Sequence, residues 1–355
     1  MTAREILKKR SELSASVRSY FLKKGYLEVD TPLLSPFLIP EANIEVFASQ
    51  YIQPDCETRE LYLISSPELW MKRLLALDTG SIFQISHCFR NFESLGVHHN
   101  PEFTMIEYYS VGADYRKSME ITEELFLHLL AELSLAPLLT YQNQAIDLKP
   151  PFVRLSISEA FKRYAAIDLP ECLAAQSGTG TETCSSQPAH RQLKKIAAAA
   201  KAKGIAISSG DTWEHIFNKI FLTLVEPSLP PDKPVFLFDY PQLLSTLAKQ
   251  NGTEPYAQRW ELYIGGLELA NCYTEETDGS LIDSFIEREH KEKGSARIPH
   301  RPDRALSAFF KAEYPECSGV ALGIDRLLML LLDQRNISGV IFFPFSAILK
   351  NNTHK

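Results

Sequence analysis

The sequence predicts an α+β fold, a mostly antiparallel sheet flanked by helices. Short runs rich in β-branched and aromatic residues recur along the chain, and helical patterns lie between them. The two do not alternate in the regular βαβ rhythm that builds a parallel sheet. The 355 residues are 45% hydrophobic and 23% charged, enough apolar material for a large core in an ordinary soluble protein.

Residues 2–24 predict a helix. Thr2 and Glu5 have capping-box spacing, Ile6, Leu13, Val17, Tyr20 and Phe21 recur near helical spacing, and Gly25 stops the run. Residues 26–34 predict a strand that ends at Thr31-Pro32. Residues 61–65 and 82–86 are short strands with a helix at 67–78 between them, Pro67 suiting its first turn. A strand at 103–111 and an amphipathic helix at 115–135 follow. Residues 176–189 are small and polar and predict a mobile loop outside the active site, and the Ala- and Lys-rich stretch 190–203 predicts a surface helix. We therefore read 1–355 as one domain with an insertion at 171–210. Strands return at 235–239, 259–269 and 319–323, a helix at 325–334, and a strand or turn at 339–344.

The formal net charge of −7 gives no strong electrostatic case for tight binding to tRNA or DNA. None of Cys56, Cys88, Cys172, Cys184, Cys272 and Cys317 has zinc-ligand spacing, so buried thiols in a reducing cytoplasm are expected. The N-terminus is polar, and no apolar run reaches the length of a membrane span. A soluble, cytoplasmic protein without a membrane partner is the expectation.

Three clusters carry chemistry. In the first, Arg90 ends a strand, and after a polar loop His99, Asn100 and Phe103 lead into a strand bearing Glu107 and Tyr109 on one face. An Arg can neutralise a phosphate and a Phe can stack on a purine, although Phe103 taken alone reads as core. In the second, Glu261, Glu268 and Glu275 sit in an apolar, strand-like segment with Asn271 and Tyr273. Buried carboxylates need cations, and Mg²⁺ with ATP phosphates or a substrate ammonium would supply them, whereas a solvent-facing strand edge would need neither. In the third, Gly319, Ala321 and Gly323 lie on a strand that turns into a helix at Asp325 and Arg326. Small residues let the backbone approach a ligand, and Arg326 can reach a phosphate.

In this order, the segments resemble the signature motifs of class II aminoacyl-tRNA synthetases, specifically the lysyl-tRNA synthetase branch. The stretch 2–34 looks like the first motif, which builds a homodimer interface in that family. Residues 90–109 look like the second motif and 319–326 like the third, and Ser66-Pro67-Glu68 matches a substrate-binding element. The resemblance implies that Arg90 binds the ATP α-phosphate and the substrate carboxylate, with Phe103 stacking on adenine beside His99 and Asn100. It implies Arg326 on the other adenine face and on the phosphates, and Glu261 and Glu268 on Mg²⁺. Ser66, Glu68, Glu107, Tyr109, Asn271, Tyr273, Glu275 and Ala321 would line the amino-acid pocket. Three carboxylates there suit a substrate with two ammonium groups.

The first motif begins almost at the first residue, so the branch's N-terminal anticodon-binding barrel is not expected, and tRNA binding with it. The chain most resembles the ligases of this branch that modify elongation factor P. That implies activation of lysine or (R)-β-lysine as an adenylate and transfer to a lysine side chain of elongation factor P. Two positions depart from the family pattern. Phe92 stands where the family has Glu, with Glu93 next to it, and Cys272 stands where the family has Gly after the pocket Asn. Three rivals share these elements: a truncated enzyme charging tRNA, a small-molecule amide synthetase, and a catalytically inactive regulatory paralogue.

Overall fold

The computed structural model describes residues 1–351 apart from 42, 55, 94, 175–186, 245 and 311–313. The chain opens with helix α1 (Ala3–Lys23), and the Thr2–Glu5 capping box forms in both directions. Strand β1 (Leu27–Glu28) and strand β2 (Leu34–Ser35) follow, then β3 (Phe47–Tyr51), β4 (Arg59–Leu63) and helix α2 (Glu68–Leu75). Strands β5 (Ile82–Phe89) and β6 (Glu102–Val111) lead to α3 (Tyr115–Glu132). Next come β7 (Leu138–Tyr141), β8 (Gln144–Asp147), β9 (Val153–Ser156), and helices α4 (Ile157–Ala160), α5 (Leu169–Leu173), α6 (Gln187–Ala202) and α7 (Trp213–Ile220). Strands β10 (Val235–Pro241), β11 (Tyr256–Ile264) and β12 (Leu267–Thr274) precede α8 (Gly279–Lys293) and α9 (Leu306–Phe310). Strand β13 (Cys317–Gly323), α10 (Ile324–Leu331) and α11 (Phe345–Asn351) complete it.

The main sheet has eight strands in the order β1-β5-β6-β13-β12-β11-β10-β9. Only its outermost pairs, β1 with β5 and β9 with β10, are parallel. This is the α+β architecture with a mostly antiparallel sheet that the sequence predicts. One face of the sheet carries Ile106, Tyr108, Trp260, Leu262, Ala270, Cys272, Val320 and Leu322 into a core shared with α1, α3 and α10. The opposite face carries polar side chains, because residues alternate along a strand.

Three expectations change. Residues 26–34 are not one strand. Leu27–Glu28 pairs with β5, whereas Leu34–Ser35 joins a separate small sheet with β4 and β3. Pro32, which has no backbone N–H, falls between the two pairings. The run 259–269 is not one strand either. Gly265 and Gly266 both have positive φ (58° and 77°) and turn the chain as a tight hairpin between β11 and β12. The helix predicted at 190–203 forms, but it is not merely a surface helix. Ile196 and Ala200 are fully buried in a second core that includes Phe161, Phe217 and Tyr263. The segment after 339, expected as a strand or turn, is a turn. Most of the predicted loop 176–189 lies outside the described residues.

Among the described cysteines, Cys88, Cys172, Cys272 and Cys317 are buried, as expected, and Cys56 is exposed. No described helix is long and apolar enough to cross a membrane.

Candidate active site

The polar face of the sheet is ordered in rows. Glu107 pairs with Ala321, Ala321 with Asn271, and Asn271 with Glu261. In the next row Tyr109 pairs with Gly319, Gly319 with Tyr273, and Tyr273 with Arg259. Residues far apart in sequence thus become neighbours through strand register alone. They floor two adjoining cavities of about 440 Å³ and about 390 Å³ that share Arg90, Asn271 and Ala321 in their walls.

The larger cavity is acidic. Ser66, Glu68, Glu107, Tyr109, Tyr273 and Glu275, which the resemblance assigns to an amino-acid pocket, all line it. Tyr109 donates its hydroxyl to Glu107 Oε1 at 2.7 Å, while Glu107 Oε2 is buried without a hydrogen-bond partner. Burial, then the charge on Glu68, pushes the Glu107 carboxyl well above its ordinary range. Glu275 is pushed up to about 7 by burial and by Glu68, with Lys72 pulling it down. Tyr273 donates its hydroxyl to Glu68. Gly319 leaves room for this cluster, since a Cβ there would lie 2.6 Å from Glu275 Oε1 and 2.7 Å from the Tyr109 ring.

The smaller cavity holds cations. Arg90, His99, Asn100, Phe103, Glu268 and Arg326 line it. The Arg90 guanidinium lies 5.2 Å from the Phe103 ring centre, and its Nε is buried without a partner. Arg326 reaches His99 Nε2 at 3.0 Å and donates to the Glu268 carbonyl at 2.8 Å. Burial, then the Arg326 charge, lowers the affinity of His99 for a proton. Asn100 is committed elsewhere: its amide donates to the Glu102 carbonyl at 2.6 Å, and its oxygen accepts from Phe345 N at 2.9 Å.

Glu261 accepts from Tyr240 at 2.6 Å, Tyr263 at 2.7 Å and Arg259 at 2.7 Å. Glu268 keeps 46% of its side chain open. Desolvation, then Glu261, raises its carboxyl, and Arg326 opposes the rise. The described residues contain no cluster of three or more candidate metal ligands. Glu261 in the wall of the larger cavity and Glu268 in that of the smaller supply the one or two protein carboxylates that Mg²⁺ takes before phosphate and water complete its shell.

The two departures from the family pattern lie in different places. Phe92 has φ 57° and is exposed, with Arg297 4.0 Å over its ring, and the neighbouring Glu93 lines the smaller cavity. Cys272 lies in the core on the far face of the sheet, not in the pocket.

The family described as tRNA synthetases class II (D, K and N) matches this chain over residues 1–347. The chain belongs to that class II family. It is also 33% identical over 341 residues to the elongation factor P–(R)-β-lysine ligase of Proteus mirabilis, covering 95% of this chain and 94% of that protein. It is 34% identical over 342 residues to the proteins of that name from Hamiltonella defensa and Yersinia pestis, with the same coverage. As a class II relative of enzymes named as ligases, the chain is itself a ligase-class enzyme.

Sequence reasoning missed three residues of this class II site. Lys72 is buried at 1% exposure, 2.7 Å from both Glu68 and Glu275. Its only trace in the sequence is the four-residue spacing from Glu68 on one helix. Arg259 donates to Asn271 at 3.1 Å as well as to Glu261, so it ties the two cavities together. Arg10 of α1 grips the buried Asp325 at 2.5 Å, and Asp325 also accepts from Thr104 N at 2.6 Å. Nothing local marks Arg259 or Arg10, because their partners lie across strands or 315 residues away.

Proposed function

We propose that the chain activates a lysine-like amino acid with ATP and transfers it to a lysine side chain of elongation factor P. The observation that carries this reading is the sheet row that joins an acidic cavity to one bearing Arg90 and Arg326. The acidic cavity suits the ammonium groups of the substrate, and the adjoining cations suit ATP phosphates. Its carboxyl end would then lie at the junction, beside Ala321 and Arg90.

In the first step a substrate carboxylate oxygen attacks the α-phosphorus of ATP, a P–O bond forms, and pyrophosphate leaves. The unpartnered Nε of Arg90 and the Arg326 guanidinium face the charge that develops there. Mg²⁺ on Glu261 and Glu268 would spread phosphate charge. In the second step the neutral ε-amine of the acceptor lysine attacks the activated carbonyl. An amide forms, AMP leaves with the acyl oxygen, and the amine loses its proton. Catalysis rests on positioning and preorganised charge, without a covalent enzyme intermediate. The (R)-β isomer of lysine is the favoured substrate in this reading, a homodimer the working assembly and the cytoplasm its place. Incubating elongation factor P with the protein, ATP and (R)-β-lysine tests it. Mass spectrometry should show one β-lysyl addition on a single lysine, and unmodified factor under conditions of pyrophosphate release would overturn the acceptor.

A further inference from the structure

Lys72 does not itself line the acidic cavity, but among the described residues it is the cation that pairs with two carboxylates of its wall, Glu68 and Glu275. It sits one turn after Glu68 on α2, and its Nζ lies 5.2 Å from the Tyr273 ring centre as well as 2.7 Å from each carboxylate. Burial opposes its charge, but Glu275 and then Glu68 outweigh burial and hold the ammonium above its ordinary value. Burial raises the Glu275 carboxyl, and the Lys72 ammonium opposes that rise.

We infer that Lys72 is a positioning and specificity-determining residue: its ammonium bridges Glu68 and Glu275 and fixes both carboxylates at the cavity wall, so that substrate ammonium groups meet preformed acceptors. This inference rests on the proposed amino-acid-activating function. Glu68 is shared between Lys72 and the Tyr273 hydroxyl, and Glu275 faces Gly319, the one residue type that leaves it space. Other groups facing the pair are Glu107 and Tyr109 from β6 and Glu41 from the segment after β2. Tyr314, just before β13, and Cys317, at its start, also face it. None of these brings a positive charge; Arg90 and Arg259 line the same cavity, but among the described residues Lys72 is the cation in ion-pair contact with Glu68 and Glu275.

Lys72→Met then removes the cation that opposes protonation of Glu275, and Glu275 takes up a proton more readily. That proton competes with the substrate ammonium, so binding weakens as pH falls. Pyrophosphate exchange with ATP and (R)-β-lysine between pH 6 and 9 measures this. The expected result is a KM raised at least tenfold at pH 7 with a smaller change in kcat. The pH below which KM climbs should move upward by about one to three units. A KM–pH profile parallel to the parent's, or a loss confined to kcat, would overturn the inference. If Lys72→Met does not fold, Lys72→Arg carries the test. It keeps the charge, so the profile should hold its shape while KM rises at least threefold from the altered geometry, and an unchanged KM overturns the inference. No exchange by the parent protein with either lysine isomer would instead sink the proposed function itself.

Discussion

Ala321 faces the junction of the two cavities, paired with Glu107 on one side and Asn271 on the other. In the proposed function its methyl borders the substrate's backbone amine, where α- and β-amino groups differ by one carbon. Ala321→Gly should raise kcat/KM for α-lysine tenfold or more while leaving β-lysine little changed, the scale of about 1–3 kcal/mol that one methyl can discriminate. An unchanged α-to-β ratio would reduce Ala321 to packing. Glu107 makes a second residue-scale test. A carboxyl whose folded value is raised contributes stability that is present below its unfolded value and lost as pH rises through the folded one. Glu107→Gln should therefore stabilise the empty protein at pH 8 by about 1–3 kcal/mol and have little effect at pH 4, while weakening substrate binding. Denaturant melts at the two pH values check the sign; a loss of stability at pH 8 contradicts the buried, unpartnered oxygen as its cause.

The hairpin between β11 and β12 aligns Glu261 with Asn271 and so sets the register of the site at the scale of an element. Its two glycines differ in a testable way. A Cβ on Gly265 would lie 2.8 Å from Ile146 Cδ1, whereas one on Gly266 would meet nothing within 4 Å. Both have positive φ, which costs a side chain about 1–2 kcal/mol. Gly265→Ala should add an overpacking cost of about 1–3 kcal/mol beyond that. Equal destabilisation of the two variants in thermal melts would refute the contact. The glycine pair sits inside an apolar run that reads as one strand, so the turn it makes is hidden by its surroundings. Helix α1 was legible throughout, because capping box, periodicity and stop signal agree.

The assembly belongs to the scale of the whole molecule. The stripe Leu13, Val17, Tyr20 and Phe21 is buried in the chain's own core, so it is not the free face that the periodicity suggests. Leu22, Leu27, Leu33 and Leu34 remain exposed instead, beside the edge strand β1. A homodimer through 2–34 should cover them. Light scattering at micromolar concentration should return twice the chain mass, and Leu27→Lys with Leu34→Lys should shift it towards the monomer. A monomeric parent protein would count against the proposed assembly.

The sequence by itself determined the fold class, the family resemblance and the residue types of the site, because each rests on local patterns: caps, period-two alternation, and short words such as those around Arg90 and Arg326. Only the tertiary structure decided how those residues meet. Strand register set Glu107, Ala321, Asn271 and Glu261 in one row and turned Cys272 away from it. The structure also put Lys72 between Glu68 and Glu275, and Arg10 on Asp325. The physical reason is that a buried charge is satisfied by whichever opposite charge the folded chain brings within reach, and separation along the sequence does not record that distance.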